Sequence, residues 1–229
     1  MERALDIDYA QDLGVDLDSL LISQVHSGEM GFKVIEKMIA AGVKIIVGDS
    51  IAAMVPEAEI AGDMGDAKMG LHARLMSQGA RKLTALLSKK KVCMIFTNQL
   101  REKIGVMFGN PEVTTGGNAM RFWASLRLKL TKRMKEYEEG AMVTGKFIKN
   151  KCAPPLKKAE FMIEFGKGVN IFQEVVDIAI EEGIIAQAGS WYSYGDTKIG
   201  QGKEKVAAFL DANADIYDQI YNDLRPWLA

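Results

Sequence analysis

The chain has 229 residues, of which 48% are hydrophobic and 26% are charged, and its formal net charge is −1. These totals exclude a disordered chain and predict a soluble globular protein with one large domain, or with a medium domain and a small one. No apolar run is long enough to cross a bilayer, the first ten residues lack a signal-peptide core, and the two cysteines form no C-x-x-C pair. We therefore expect a cytoplasmic protein with reduced thiols and no membrane partner.

The balanced net charge leaves room for a basic face. Lysine and arginine gather between Ser88 and Lys158, whereas the chain after Val169 is richer in acidic residues. Such a concentration is typical of a nucleic-acid surface, although solvated strand edges and helix ends carry lysines in the same way. Both interpretations stay open at this point.

Residues 27–99 alternate between helical and strand patterns. A helix with Met30, Val34 and Met38 on its apolar face is predicted to begin after the N-cap Ser27. An apolar strand, VKIIVGDS, follows, then a long amphipathic helix, MGLHARLMSQGARKLTALLSKKK, and a second strand, KVCMIFTNQ. Short continuous apolar runs indicate buried strands of a parallel sheet, so this part of the chain predicts an α/β fold.

The pattern changes after Phe122. The segments WASLRLKLTKR, MVTGKFIKNK and AEFMIEFG predict neighbouring antiparallel strands at the edge of the sheet. GKGVN marks a boundary, after which a helix, a hairpin WYSYGDTKIG and two more helices predict a small α+β part. We therefore expect two domains, residues 1–168 and residues 169–229.

Polar side chains end both predicted parallel strands. Asp49 and Ser50 follow the first strand, in the position of a Walker B motif, whose carboxylate helps to hold Mg²⁺. Asn98 and Gln99 follow the second, where an amide can touch a γ-phosphate. Strands also end in polar residues without any ligand, which is the alternative in each case. The two histidines lie far apart and no cysteine has ligand spacing, so no zinc site is expected.

A loop follows each of these strands at the same end of the predicted sheet. The loop after the second strand, NQLREKIGVMFGNPEVTTGG, has too many apolar side chains for an ordinary surface loop and too many glycines for a strand. The loop after the first strand contains EAEIAGDMGDAK, which is acidic and glycine-containing and predicts a flexible segment before the long helix.

Four stretches together resemble the bacterial RecA recombinase family: MGLHARLMSQGARKL, NQLREKIGVMFGNPEVTTGGNAMRF, KNKCAPPLKKAEFMI and GSWYSYGDTKIGQGK. The similarity runs in order over nearly the whole chain. It implies a RecA-like P-loop ATPase core with a small C-terminal domain, and a filament that binds single-stranded DNA with ATP and Mg²⁺. It also implies capture of double-stranded DNA, strand exchange, and a role in homologous recombination, DNA repair and the SOS response to DNA damage.

By the same resemblance, residues 57–69 and 100–115 are two DNA-binding loops. Basic side chains of the second loop would meet phosphates, and its apolar side chains would wedge between or support bases. The DNA-binding residues implied in this way are Met69, Arg101, Lys103, Ile104, Val106, Met107, Phe108, Asn110, Thr114, Gly116 and Gly117.

The resemblance also implies a catalytic set. Glu2 would activate the attacking water, and Gln99 would sense the γ-phosphate. Lys149 and Lys151 would reach a neighbour's ATP across the filament interface, as an arginine finger does. The remaining implied positions are Asp6 and Tyr9 in the adenine pocket, Asp49 and Ser50 at the end of the Walker B strand, with Asp49 holding Mg²⁺ indirectly, and Arg121 and Phe122 at the subunit interface.

The sequence departs from the family pattern at the phosphate-binding loop. It contains no G-x-x-x-x-G-K-[ST], whose backbone amides and lysine grip the phosphates, and it starts just before Glu2. We expect a fragment, one half of a split gene or a degenerate relative, which needs an N-terminal segment with the P-loop in order to hydrolyse ATP. The alternative is an ATP-independent module for single-stranded DNA binding or filament interaction.

Overall fold

A computed structural model describes residues 5–63, 70–102, 105, 112–133 and 140–227. Its contacts divide the chain into two compact units, residues 1–127 with 149–155 and residues 128–148 with 156–229. This division does not decide where independently folding domains begin, so the boundary predicted after residue 168 stays a prediction. No helix in the described ranges is long and apolar enough to span a membrane.

The first unit alternates helices and short strands. Its elements are, in chain order, α1 (Ile7–Asp12), α2 (Gly28–Ala40), β1 (Ile45–Gly48), α3 (Glu57–Ile60), α4 (Leu71–Lys90), β2 (Cys93–Phe96), β3 (Leu100–Glu102), β4 (Glu112–Thr114) and α5 (Ala119–Trp123). Strands β1 and β2 pair in parallel, and β3 pairs with β4 in the antiparallel sense. The predicted helix–strand–helix–strand order and the parallel pairing are therefore confirmed.

Helix α2 begins as the sequence predicts but buries a different face. The Ser27 hydroxyl oxygen accepts a hydrogen bond from the backbone N–H of Met30 at 3.1 Å, which caps the helix. Met30, assigned to the apolar face, is 46% exposed, whereas Phe32 is only 7% exposed. The partner helix α4 decides this, because its Gly79 leaves room for the Phe32 ring: a Cβ on Gly79 would come within 2.1 Å of that ring.

Strands β1 and β2 are buried on one face only, which corrects the prediction of fully buried strands. Ile46 is 6% exposed and belongs to the core formed with α2 and α4. The alternate residues Ile45 and Val47 are 67% and 60% exposed, and Ile95 of β2 is 48% exposed. Successive side chains of a strand point to opposite faces, so the two helices cover one side of this pair of strands.

The second unit combines a sheet with a small α+β part. Its elements are β5 (Leu126–Lys132), β6 (Gly140–Asn150), β7 (Lys158–Glu164), β8 (Gly168–Val169), α6 (Ile171–Glu181), β9 (Ala186–Ala188), β10 (Trp191–Tyr194), β11 (Thr197–Gln201), α7 (Lys203–Ala212) and α8 (Ala214–Leu224). Strand β5 begins, and β6 ends, within the residues of the first unit. The sheet order is β5-β6-β7-β8, and the predicted antiparallel pairing is confirmed for β6 with β7.

The predicted hairpin near the C-terminus is confirmed as β10 and β11. A third strand, β9, pairs with β10 on its other side and was not predicted, because three residues of AQA carry no strand pattern. The helices α6, α7 and α8 bury fully covered side chains against this small sheet, among them Val176, Val206, Leu210 and Ile220. Helical spacing of apolar residues was sufficient to predict all three helices.

Candidate functional site

The end of β1 presents a carboxylate next to a buried hydroxyl. Asp49 and Ser50 follow the strand and are joined by a cis peptide bond. The Asp49 side chain is exposed, and its Oδ1 accepts a hydrogen bond from the hydroxyl of Thr97. Ser50 is 5% exposed, and within the described residues its Oγ is the buried side-chain atom that has no hydrogen-bond partner. A buried hydroxyl without a partner is costly and marks a position for a ligand atom or a water molecule.

This pair of residues fits Mg²⁺ when phosphate oxygens complete the site. Mg²⁺ in nucleotide sites is usually held by one or two carboxylates together with phosphates and water, and Asp49 can supply one carboxylate. In the part of the chain that the structure describes, no three His, Cys, Asp or Glu side chains gather into a metal site. Asp49 and Ser50 can therefore complete a site for Mg²⁺ and phosphate but cannot form a metal cage by themselves.

Parallel pairing brings the end of β2 to the same edge. The backbone N–H of Ile51 donates to the carbonyl oxygen of Thr97 at 3.0 Å. The next residue, Asn98, donates from Nδ2 to the carbonyl oxygen of Thr115 at 3.0 Å and accepts from the Thr115 hydroxyl through Oδ1. Gln99 follows and is exposed. Thr97, which contacts the Asp49 carboxylate, is thus followed directly by a residue that is hydrogen-bonded to Thr115, the last residue of the second candidate loop (residues 100–115).

The second candidate loop has a β-hairpin stem that sequence reasoning missed. Leu100 pairs with Thr114 and Arg101 with Val113, so both ends of the loop are held together. Arg101 is exposed on this stem. Three-residue strands are too short for an alternating pattern to reveal them, and the polar-apolar order of LREK was the available signal.

Two glycines close this loop against the first turn of α4. Gly116 and Gly117 have φ angles of +84° and +69°. A Cβ on Gly116 would lie 3.1 Å from side-chain atoms of Ile51 and Met76, and a Cβ on Gly117 would lie 2.7 Å from the Cβ of Ala73. Both the backbone conformation and the space therefore require glycine. DNA contact by the two glycines, which the resemblance implies, stays a prediction beside this packing role.

The first candidate loop begins with a helix, which corrects the prediction of a flexible segment at its start. Helix α3 occupies Glu57–Ile60. The backbone N–H of Glu57 donates to Oε2 of Glu29 at 2.9 Å, and the hydroxyl of Ser27 donates to Oε1 of Glu57 at 3.0 Å. These bonds attach α3 to the beginning of α2.

Four cationic side chains gather near the end of α5. The Nζ of Lys149 donates to the carbonyl oxygens of Arg121 and Phe122, both at 2.8 Å. The pKa of Lys149 is lowered by burial and then by the charges of Lys151 and Arg127, and the pKa of Arg127 is lowered by burial and by Arg121. Phe122 is 74% exposed. Neighbouring cations repel each other, so an anion between them would be stabilised, and the four side chains form a candidate anion site. Sequence reasoning did not single out Arg127.

Asp6 and Tyr9 lie on one helical turn. The Oδ1 of Asp6 accepts from the backbone N–H of Tyr9 at 3.0 Å and so caps α1. The structure brings the two residues together, whereas their contact with adenine stays a prediction. The predicted site residues that lie outside the described ranges are Glu2, Met69, Lys103, Ile104, Val106, Met107, Phe108 and Asn110.

Comparison with known proteins confirms the family resemblance. The RecA N-terminal domain family matches residues 1–170, and the RecA C-terminal domain family matches residues 173–228. The chain is 49% identical to Protein RecA of Lactobacillus johnsonii over 230 residues, which cover 98% of the chain and 64% of that protein. It is 52% identical to Protein RecA of Leptospira meyeri over 229 residues, which cover 98% of the chain and 59% of that protein. It is 50% identical to Protein RecA of Clostridioides difficile over 230 residues, which cover 98% of the chain and 66% of that protein.

The chain therefore spans 59% to 66% of the length of these three relatives. The two domain matches agree with an α/β RecA-like core followed by a small C-terminal domain. The chain belongs to the RecA family.

Proposed function

We propose that this chain is part of a RecA-like recombinase, in which nucleotide binding is coupled to the binding of single-stranded DNA during homologous recombination and DNA repair. The observation that carries the proposal is the pair of hydrogen bonds between Asn98 and Thr115. They attach the end of the second loop to the strand end beside Asp49. A phosphate near Asp49 and a DNA strand on the second loop would therefore both act on the short segment around Asn98.

ATP with Mg²⁺ is the proposed cofactor at this edge. Asp49 would hold the metal through a water molecule, and the Ser50 hydroxyl would gain its missing partner from a water or phosphate oxygen of the same site. Gln99 directly precedes the second loop and would transmit the presence of the γ-phosphate to it. Glu2 would activate the attacking water.

Single-stranded DNA is the proposed ligand of the second loop. Arg101 is exposed on the hairpin stem and can meet a phosphate, and Lys103 would add a second phosphate contact. Contacts of this type, with apolar side chains against the bases, bind DNA without strong sequence preference. Double-stranded DNA is the proposed partner of the C-terminal α+β part, where the Nζ of Lys198 lies 5.6 Å from the ring centroid of the exposed Trp191.

A second subunit is the proposed partner of the cationic cluster. Lys149 and Lys151 would stabilise charge on the transferred phosphoryl group of a neighbour's ATP, next to the exposed ring of Phe122. Lys149 must then exchange its two backbone carbonyl partners for phosphate oxygens. Head-to-tail repetition of this contact would build a helical filament.

A complete nucleotide site also needs a phosphate-binding loop. The pattern G-x-x-x-x-G-K occurs once in this sequence, from Gly140 to Lys146, but Phe147 follows it and the stretch lies inside β6. We therefore propose that an N-terminal segment with a Walker A motif completes the site, and that it covers the exposed apolar face of β1 and β2. The same proposal places the protein in the cytoplasm and in the SOS response.

An ATP-independent module that binds single-stranded DNA is the second candidate. It is favoured by the missing Walker A motif, because the basic and apolar side chains of the second loop do not need a nucleotide in order to contact DNA. The two candidates differ in whether ATP changes the affinity for DNA once a P-loop segment is supplied.

The first experiment measures the binding of a fluorescein-labelled oligo-dT by anisotropy at several salt concentrations. The double variant Arg101→Ala with Lys103→Ala should bind more weakly, and the slope of log K against log[salt] should fall by roughly 0.7 for each lost phosphate contact. The double variant Arg81→Ala with Lys82→Ala removes two exposed cations from α4 and is the matched control. Equal slopes for both double variants would show that the loop is not the DNA contact.

The second experiment measures ATP hydrolysis. The chain alone should show no DNA-stimulated hydrolysis, and addition of a purified segment with the P-loop should restore some. Lys149→Ala should then reduce turnover, and a subunit with Glu2→Gln but intact lysines should partly restore it, because the lysines act on the neighbour's ATP. Strong hydrolysis by the chain alone would refute this account, and DNA binding that ATP never changes would favour the second candidate.

A further inference from the structure

Three segments of the first unit meet at a joint around His72. The joint consists of Ile51 in the turn after β1, His72 and Ala73 in the first turn of α4, and Gly116 and Gly117 directly after the second loop. The Nε2 of His72 lies 3.0 Å from the carbonyl oxygen of Ile51. A Cβ on Gly116 would lie 3.1 Å from the side chain of Ile51 and 3.8 Å from the ring of His72. The three segments are therefore in direct contact.

The contact between His72 and Ile51 requires a specific donor. A carbonyl oxygen only accepts hydrogen bonds, so the Nε2 of His72 carries the proton. The same oxygen accepts a second bond, from the backbone N–H of Met54 at 3.1 Å. The amide of a glutamine could replace the imidazole donor, whereas a leucine of similar size could not.

The position of the joint gives this bond its significance. Gly70, which has a φ of +84°, lies between the first candidate loop (residues 57–69) and α4. His72 is therefore three residues from the end of the first loop, and the glycine pair directly follows the second loop (residues 100–115). On the other side, Ile51 directly follows Asp49 and Ser50. The glycine pair packs closely against the first turn of α4, because an added Cβ at Gly117 would lie 2.7 Å from the Cβ of Ala73. A displacement of one of these segments must therefore also displace the other.

We propose that His72 is a positioning residue that connects the ends of both loops to the turn after Asp49, so that a DNA strand which binds either loop also stabilises that turn. The proposal rests on the proposed function only for the identity of the ligand. The connection runs through α4 and the carbonyl group of Ile51, and it is therefore separate from the link through Gln99. It makes the two loops and the nucleotide edge parts of one coupled element.

Hydrogen exchange followed by mass spectrometry tests this proposal on peptides that cover residues 45–56 and 112–118. The variants are His72→Leu, which removes the donor, and His72→Gln, which keeps one. Thr84→Val is the matched control, because it removes a side-chain hydrogen bond of the same helix, from the Thr84 hydroxyl to the carbonyl oxygen of Ala80 at 2.7 Å, away from the joint. Each protein is measured alone and with oligo-dT, whose binding is followed separately by anisotropy.

Without DNA, His72→Leu should speed exchange in both peptides by roughly 2- to 10-fold, the effect of one net hydrogen bond, while His72→Gln and Thr84→Val should leave it near the original rate. With DNA, residues 45–56 should become protected in the original chain and in His72→Gln but not in His72→Leu.

Equal protection in all variants, or DNA binding without any protection of residues 45–56, would overturn the proposal. If oligo-dT does not bind at all, the DNA-binding function fails instead, and the DNA-free comparison decides about the joint. Equal hydrogen-exchange rates of both peptides in His72→Leu and His72→Gln would then overturn the proposed role of His72. Faster exchange in His72→Leu alone would support it.

Discussion

Replacement of Ser50 by alanine should stabilise the chain, although most substitutions at buried positions destabilise a protein. The Ser50 side chain is 5% exposed, and its Oγ has no hydrogen-bond partner among the described residues. A buried polar group without a partner costs about 1–3 kcal/mol, and alanine removes the group while it leaves a void of only one oxygen atom. We expect the free energy of unfolding to rise by about 1 kcal/mol.

The second buried serine of the first unit provides a matched control with the opposite sign. Ser27 is 7% exposed, but its Oγ accepts from the N–H of Met30 and donates to Oε1 of Glu57. Ser27→Ala removes a helix cap, which costs about 0.5–2 kcal/mol, together with a hydrogen bond to a carboxylate. We expect the free energy of unfolding to fall by about 2 kcal/mol.

Urea denaturation followed by circular dichroism measures both changes, and the slope of free energy against urea should stay constant for each variant. Ser50→Ala should move the midpoint to higher urea and Ser27→Ala to lower urea. In a complex with a P-loop segment, Ser50→Ala should also weaken ATP binding, because the hydroxyl is then needed by the ligand. A loss of stability in Ser50→Ala similar to that in Ser27→Ala would refute the reasoning that the Ser50 hydroxyl has no hydrogen-bond partner until a ligand binds.

Three further predictions follow from packing, protonation and charge. Gly79→Ala should lower the urea midpoint, because overpacking against the buried ring of Phe32 costs typically 1–3 kcal/mol and exceeds the helix-propensity gain of roughly 1 kcal/mol; a higher midpoint would contradict this. The hydroxyl of Tyr194 donates to Oδ2 of Asp223 at 2.7 Å, and this bond raises the pKa of Tyr194 above its ordinary value of 10.0. The bond therefore contributes its full stability to the folded protein below pH 10.0, and this contribution is lost as the pH rises through the folded-state pKa. Tyr194→Phe should therefore weaken the alkaline decline in thermal stability, and an unchanged decline would show that other groups cause it. Lys149→Met should reduce the binding of tripolyphosphate, measured by titration calorimetry, since it removes one cation of the anion site; equal binding by the variant would place the anion elsewhere.

The sequence alone determined the features that depend on neighbouring residues. Helical spacing and the capping hydroxyl of Ser27 were enough to predict α2, and apolar runs that end in Asp49 and Gln99 were enough to predict two parallel strands with polar ends at one edge. The family resemblance depended on long stretches of sequence and needed no structure. Local propensity and side-chain period are properties of the chain itself, which is why these predictions were confirmed.

The tertiary structure decided which of the possible contacts form. Periodicity could not tell that α2 buries Phe32 and exposes Met30, because the space opposite Gly79 comes from another helix. It also could not show that Asn98 holds Thr115, 17 positions away, or that Lys149 is bonded to the carbonyl of Arg121, 28 positions away. The direction of a side chain toward a distant partner depends on how complete elements pack, and packing is a property of the folded chain.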